Sequence, residues 1–313
     1  MTPAPTAEPD RFPIPTRTNL TIIGLQLAAV SGIILGVRAA PSWGVVALWA
    51  VAFGIVGNSI YAIIHEAEHG VLHPNPKINE GLGVLMSLLF PAPYHLIRQG
   101  HIGHHLRNRS DDEAFDLFFD GEHFVTKCLQ WYSILTGVFW ISIVLANVAV
   151  LVAPVLLDKK LYRFDRPSYA LFDSLNPVYR RLIRLEALLA ILVHTAIVIG
   201  FGVSPLRYAA MYFGFGFSWS ALQYLHHYGT ERHVVRGARN VWILPLLDLI
   251  LLNHNWHLTH HKHPVVSWKY LPALGRKEDP ERTFLLWHYV KMWRPPRYSD
   301  ERVENRHAGR VIR

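Results

Sequence analysis

The chain is short of cysteine and of charge. Only one of its 313 residues is cysteine, Cys128, which excludes an intrachain disulfide, a CxxC metal site and a cysteine-bound iron–sulfur cluster. An ordinary buried thiol is its expected state. Charged residues make up 17% of the sequence, against roughly 25% in a soluble domain. With 51% hydrophobic residues and a mean hydropathy of +0.17, the deficit falls in long apolar runs, which point to an integral membrane protein. Acidic residues are also few, 23 against 31 Lys and Arg, for a net charge of +8. Such a balance could suit nucleic acid, but the basic residues lie between and after the apolar runs. That placement fits membrane flanks and anionic headgroups, so no nucleic-acid partner is expected. Residues 1–19 are Pro-rich, with nothing strongly apolar before Leu20. They lack the basic-then-apolar order of a cleaved signal peptide and are expected to be a disordered or surface-lying tail. No repeat of 20–50 residues is evident.

Leu20–Val37 and Trp43–Ile64 are long enough to cross a bilayer, joined by a turn at Arg38-Ala-Ala-Pro-Ser-Trp-Gly44. Asn79–Pro93 is apolar but short and ends in Pro-Ala-Pro, which predicts a re-entrant or interfacial segment. Three further apolar stretches come after it, Trp131–Leu157, Leu185–Val203 and Leu206–Leu225. Ile243–Leu252 is too short to cross.

Three histidine clusters stand out: His65-Glu-Ala-Glu-His69, His101-Ile-Gly-His104-His105 and His257-Leu-Thr-His260-His261. Residues three and four apart share a helix face, so each cluster can aim its imidazoles at one point. Neutral imidazole is the commonest protein metal ligand, and eight are too many for one ion, which implies a two-metal site. All eight must then lie on one membrane face, which requires an even number of crossings between His105 and His257. Lys159, Lys160, Arg163, Arg166, Arg180, Arg181 and Arg184 place the segment 158–184 in the cytoplasm by the positive-inside rule. Trp131–Leu157 is therefore expected to enter and return, and Leu185–Leu225 to form a hairpin turning at Gly202-Val-Ser-Pro205. The expected fold is an all-α membrane protein of four transmembrane helices plus re-entrant or interfacial helices. Both termini, and a cap carrying the histidines, would be cytoplasmic. The expected divisions are a tail (1–19), a membrane domain (20–274), and a basic interfacial helix with a C-terminal tail (275–313). An all-imidazole site for two metals suggests iron used with oxygen, since oxidising an unactivated C–H bond needs a metal-based oxidant.

On these three clusters and their tails, His104-His-Leu-Arg-Asn-Arg-Ser-Asp-Asp112 and Asn255-Trp-His-Leu-Thr-His-His-Lys-His-Pro-Val-Val-Ser-Trp-Lys-Tyr-Leu-Pro272, the sequence resembles the membrane fatty acid desaturase superfamily. That group includes acyl hydroxylases, alkane monooxygenases and carotenoid ketolases, and the resemblance covers roughly Tyr61–Leu274. It implies a non-haem di-iron centre, Fe2+/Fe3+, with O2 as co-substrate and a lipid or acyl-chain substrate. It also implies a ninth histidine just after the last span, where the chain reads Gln223-Tyr-Leu-His226-His227-Tyr-Gly229. His227 best fits that position, with Gln223 one turn earlier placed to hold a metal-bound water. The expected ligands are then His65, His69, His101, His104, His105, His227, His257, His260 and His261. The alkane hydroxylases have Glu where His226 stands, so a hydroxylase or monooxygenase outcome is the alternative to desaturation.

Ligating imidazoles usually pass their other N–H to a carboxylate or carbonyl. Asp111, Asp112, Glu66 and Asp248 are candidates, Asp248 above all because a carboxylate inside Ile243–Leu252 needs a partner. His73, His95, His123, His233, His288 and His307 are expected to be solvated or interfacial, and His194, mid-span, to bond a neighbouring helix. His226, His254 and His263 adjoin ligands and could support or replace one. Arg98, Arg107 and Arg109 could meet a phosphate, a carboxylate, an acidic electron donor or lipid headgroups. A rival reading rests on His65-Glu66-x-x-His69, which satisfies the zinc-peptidase HExxH pattern, yet leaves most of the other histidines idle. With no haem-binding His-Pro-Gly-Gly, no cysteine cluster and no GxGxxG, electrons are expected from an external donor protein of ferredoxin, rubredoxin or cytochrome b5 type.

Overall fold

A computed structural model describes residues 12–312. Most of the tail expected at 1–19 lies outside the described residues, and its end is not loose. Helix α1 (Thr16–Ala39) begins within it, and buried Asn19 donates to Leu72 O at 2.9 Å and accepts from Trp268 Nε1 at 3.0 Å. A side-chain amide that satisfies two distant groups fixes the start of the helix there. Helix α2 (Trp43–Glu68) starts at a turn capped by Ser42, whose hydroxyl accepts the Val45 N–H.

Both helices are long and apolar enough to cross a bilayer, as is the run Pro177–Phe201 that contains α8 (Arg180–Phe201). The run expected as one stretch at Trp131–Leu157 is two helices, α5 (Phe124–Leu135) and α6 (Val138–Val152), bent by 87°. The bend sits at Gly137, whose φ is +81° and where a Cβ would lie 2.7 Å from Phe217 Cα. Only glycine permits that turn and that approach. Among the described residues three helices therefore qualify as spans outright, or four if the bent pair counts as one.

Helix α9 (Pro205–Gln223), expected as a span, is long enough to cross, but its glycines, serines and tyrosines leave it below the apolarity of the other three. Protein rather than lipid covers much of it: Met211, Tyr212, Phe215, Trp219 and Ser220 are buried. It lies along α2, where a Cβ on Gly214 would sit 2.6 Å from Ala50 O. Small residues at such a crossing let backbones meet closely where the hydrophobic effect cannot drive them together. Phe53, Ile60 and Ile63 of α2, Ile33 and Ile34 of α1, and Phe215 of α9 share the main apolar core.

Helix α3 (Pro76–Ser87) is too short to cross and turns back, as its sequence predicts. The carbonyls after it are satisfied within the bundle: Leu88 O accepts from His194 Nε2 at 2.9 Å and Leu89 O from Tyr212 at 3.1 Å. His194 Nδ1 meets the Tyr208 hydroxyl at 2.7 Å, so this mid-helix histidine bonds its neighbours as expected.

Beyond the bundle lie α4 (Tyr94–Arg107), α7 (Arg166–Asp173), α10 (Pro245–Ile250), α11 (His257–Lys262), α12 (Leu271–Glu278) and α13 (Leu285–Met292). Two short parallel pairs tie them together: β1 (Leu117–Phe118) with β4 (Arg297–Tyr298), and β2 (Val241–Trp242) with β3 (Thr283–Phe284). Helix α13 is largely apolar on both faces, with Leu285, His288 and Met292 buried and Leu286, Trp287 and Val290 exposed. The C-terminal segment beyond α13 is a strap, not a loose tail. Asp111 and Val303 exchange hydrogen bonds, Asn305 Nδ2 donates to Asp112, and Ile312 N donates to Ser174 O at 3.0 Å.

Candidate metal centre

The first histidine cluster occupies the last turn of α2. Ala67 O there accepts from Asn79 Nδ2 and from the Tyr94 hydroxyl, both at 2.8 Å, so α3 and α4 hold the end of the helix in place. The second cluster lies on the C-terminal half of α4. The third forms α11, a single short helix whose first N–H groups would otherwise be orphaned. Asn240 supplies the missing cap from outside, its Oδ1 accepting Leu258 N at 3.0 Å and Thr259 N at 3.3 Å.

These elements bring the nine predicted imidazoles into two sets. His65, His69, His101, His105 and His260 form one, and His104, His227, His257 and His261 the other, with ligand atoms inside 4.8 Å within each set. The sets abut: the rings of His105 and His261 are 4.3 Å apart. Within the first, Nε2 atoms approach at 2.7 Å (His69 to His101), 3.1 Å (His101 to His105) and 3.0 Å (His105 to His260). His65 Nε2 is buried with no hydrogen-bond partner. Within the second, His227 Nε2 lies 3.1 Å from both His104 Nε2 and His257 Nε2.

The hydrogen bonds behind the second set orient its rings. His227 Nδ1 faces Gly237 O at 2.8 Å, and a carbonyl only accepts, so Nδ1 carries the proton. His104 Nδ1 faces Glu113 Oε2 at 2.7 Å and donates to it. Burial works to raise the Glu113 pKa, but Arg107 and His104 outweigh it and bring the carboxyl down to about 2, so it stays an anion. The two Nε2 atoms then face each other at 3.1 Å, an arrangement that a cation bound between them would satisfy. Burial, followed by neighbouring charge, pushes His101, His105, His227, His257, His260 and His261 well below the ordinary histidine range, so these rings are neutral donors. An all-imidazole set fits a divalent first-row transition metal.

The outer residues are placed less as expected. Asp111 does not approach an imidazole; it takes Arg232, Arg302 and Val303 N. Asp112 takes Asn305. Asp248 is linked to the site at one remove: Asn255 Nδ2 donates to it at 2.6 Å, and Asn255 Oδ1 lies 3.4 Å from His226 Nε2. Gln223 lines a small cavity with Asn58, Tyr61, His226, His254 and Asn255 beside the second set. Glu66 lines a small cavity with His65, His254 and His260, and its Oε2 accepts Trp268 N at 3.1 Å. His226 and His254 form a third imidazole group with His257. Two histidines expected at the surface are buried. His95 bonds Glu186 at 2.5 Å, and His288 sits under Tyr228. Arg107 and Arg109 are also buried, on Glu113 and on Asp116 with Tyr224, so neither is free for a headgroup. Glu113, Gly237 and Asn240 went unforeseen.

A membrane helix bundle presenting nine imidazoles in two adjoining sets is a histidine-box protein with a candidate metal site. The fatty acid desaturase profile matches residues 41–296, and the chain belongs to that family. It is 23% identical over 323 residues to a chloroplastic omega-3 fatty acid desaturase of Glycine max, covering 94% of this chain and 66% of that protein. It is 26% identical over 258 residues to a sphingolipid delta(4)-desaturase of Bos taurus, covering 79% of this chain and 70% of that one. The chain thus spans about two thirds of the length of these relatives. Family and relatives make it an oxidoreductase of lipid metabolism in a membrane.

Proposed function

We propose that the protein is an oxygen-dependent di-iron oxidase that introduces a double bond into a lipid acyl chain. The observation that carries this reading is the division of nine imidazoles into sets of five and four, with Nε2 atoms facing at His104 and His227. Two irons held there would supply the capacity to use O2 against an unactivated C–H bond. Gly237 O and Glu113 hold the His227 and His104 rings with Nε2 inward, and Asn240 holds α11 so that three histidines point one way. Gln223 and the polar cavity beside it would keep a water near the second set. The overall change consumes one O2, two electrons and two protons as CH2–CH2 becomes CH=CH and two waters leave. The electrons are assigned to an external ferredoxin, rubredoxin or cytochrome b5 type donor guided by the basic face. The histidines and both termini are assigned to the cytoplasmic side, in keeping with the basic segment 158–184. A zinc peptidase is not favoured, because Glu66 is committed to Trp268 N. The residues at the metals are compatible with hydroxylation as well, and the relatives' names favour desaturation.

The test is acyl-chain profiling of cells making the protein, with His261→Ala as control. New double bonds in the wild type alone are expected. Unchanged acyl chains beside altered isoprenoids or alkanes would overturn the substrate class.

A further inference from the structure

A second cavity, of about 440 Å³, lies next to the metal centre but outside it, with Trp242, Leu244, Asp248, Trp256, Arg276 and Arg282 in its wall. The segment between α10 and α11 separates the two. Asn253 and Trp256 face this cavity, while His254 and Asn255 face the smaller one beside the histidines. Leu252 and Asn253 in that wall both have φ near +50° (50° and 53°), an uncommon conformation for side-chain-bearing residues that tends to mark functional segments.

Depth is set by one hydrogen bond. Ser59 of α2 donates to Ile250 O at 2.6 Å, and Ser59 lies six residues before His65, about 9 Å along the helix at 1.5 Å per residue. Helix α10 therefore reaches below the metals toward the apolar part of the bilayer, and its Leu246 and Leu249 are exposed there, as is Leu244 at the cavity wall. Trp242, also exposed, packs against Phe284 with ring centroids 4.6 Å apart. An aromatic and leucine rim of this kind belongs at a lipid–water boundary.

The charge inside is unbalanced. Arg282 gives Nη2 to Asp248 Oδ2 at 2.6 Å and Nε to Val241 O at 2.9 Å, and it lies 4.3 Å over the Trp256 ring. Its Nη1 is left over. Arg276 has no acidic partner among the described residues. Two guanidiniums against one carboxylate leave one positive charge in a recess of ligand size.

We propose that this cavity binds the anionic head of a lipid, a phosphate or carboxylate on an apolar chain, with Arg276 and Arg282 Nη1 as its donors and the rim taking the first carbons. The idea rests on the lipid-oxidase reading and adds to it where the substrate's head is held, one loop away from the metals. Guanidinium suits both oxyanions because its fork matches their geometry.

The iron-loaded protein in nanodiscs of neutral lipid is titrated with octyl phosphate below its micelle concentration. Octanoate, octyl glucoside and inorganic phosphate are titrated in parallel. Saturable binding of octyl phosphate or octanoate is expected, and their order identifies the head. Arg276→Glu and, as a milder change, Arg276→Gln should weaken binding by at least about tenfold and about threefold while iron content holds. Equal binding of octyl glucoside, equal binding of inorganic phosphate, or full affinity in both variants would each overturn the proposal. Binding is read without turnover, so a failure here leaves the desaturase reading standing. Conversely, a chain that binds octyl phosphate yet makes no double bonds would lose that reading alone.

Discussion

His104 and His227 face each other through Nε2 atoms 3.1 Å apart while each spends its Nδ1 proton elsewhere, on Glu113 and on Gly237 O. A cation bound between those atoms would satisfy both rings, and the buried His65 Nε2, without a hydrogen-bond partner, is a further ligand atom, in the first set. Chelating the metal should therefore destabilise the fold as well as abolish activity. At a free metal concentration of 100 times Kd the bound form gains about 2.7 kcal/mol, so the melting temperature in detergent should fall on chelation and return on adding Fe2+. An unchanged melting temperature in metal-free protein would remove the cation from this argument.

Glu113 governs the same ring from behind. Glu113→Gln keeps an acceptor for His104 but loses the charge, and a loss of metal affinity or activity of roughly 10–100-fold is expected. Glu113→Ala also strands Arg107, so it should cost about 3–5 kcal/mol in addition. Iron titration separates the first effect and thermal unfolding the second. If both variants bind iron like the wild type, the carboxylate has no role in holding the ring.

How much of this was legible beforehand varied with sequence separation. The HxxxH and HxxHH spacings declare their own geometry, because partners three and four apart meet on any helix, and the structure gathers all eight. His227 could be chosen over His226 only through the family resemblance. Glu113 went unread although it comes directly after Asp111 and Asp112. Which of three consecutive acids turns back to His104 depends on the reversal after α4, where Arg109 has φ +60°. His95 was placed at the surface because its partner, Glu186, is 91 positions away. The strap was read as loose for the same reason: Asp111 and Val303 are 192 apart. Helix α9 is less apolar than the other long helices because a helix packed against protein does not need the apolarity that lipid demands of its neighbours.

The strap should respond to acid. Burial alone would raise the Asp111 carboxyl, but Val303 N, Arg232 and Arg302 together hold it below its ordinary value. A carboxyl lowered in the folded state stabilises above its unfolded pKa, about 3.9, and that contribution is lost as pH falls through the folded value. Hydrogen exchange at residues 297–312 should therefore accelerate below about pH 4 before the bundle opens. Asp111→Asn should show the faster exchange already at neutral pH and little further change in acid. Strap protection independent of pH in the wild type would refute the assignment.

The α2–α9 contact depends on a missing side chain. A Cβ on Gly214 would meet Ala50 O at 2.6 Å, and backbone cannot step aside as a flexible side chain can. Gly214→Val should push the helices apart and cost about 1–3 kcal/mol or more. Because α2 carries His65 and His69 and α9 leads into His227, iron occupancy should fall along with thermal stability. Gly200→Val, at a site with open space around it, is the matched control and should do neither.

Sidedness can be tested at three exposed positions. The turn between α8 and α9 lies at the far end of α9 from His227; a helix of 19 residues covers ~28 Å, close to the thickness of the hydrocarbon core, about 30 Å. Arg163, in the basic segment, and Glu304, in the strap, belong to the metal end. With Cys128 replaced by serine, Arg163→Cys and Glu304→Cys should react with a membrane-impermeant maleimide only when it reaches the cytoplasmic face. Ser204→Cys should react only from the other side. The 87° bend at Gly137 makes this outcome depend on α5 and α6 returning rather than crossing. Labelling of Arg163→Cys from the same side as Ser204→Cys would mean that α5 and α6 cross as one broken span and that α8 does not cross, and would overturn this arrangement.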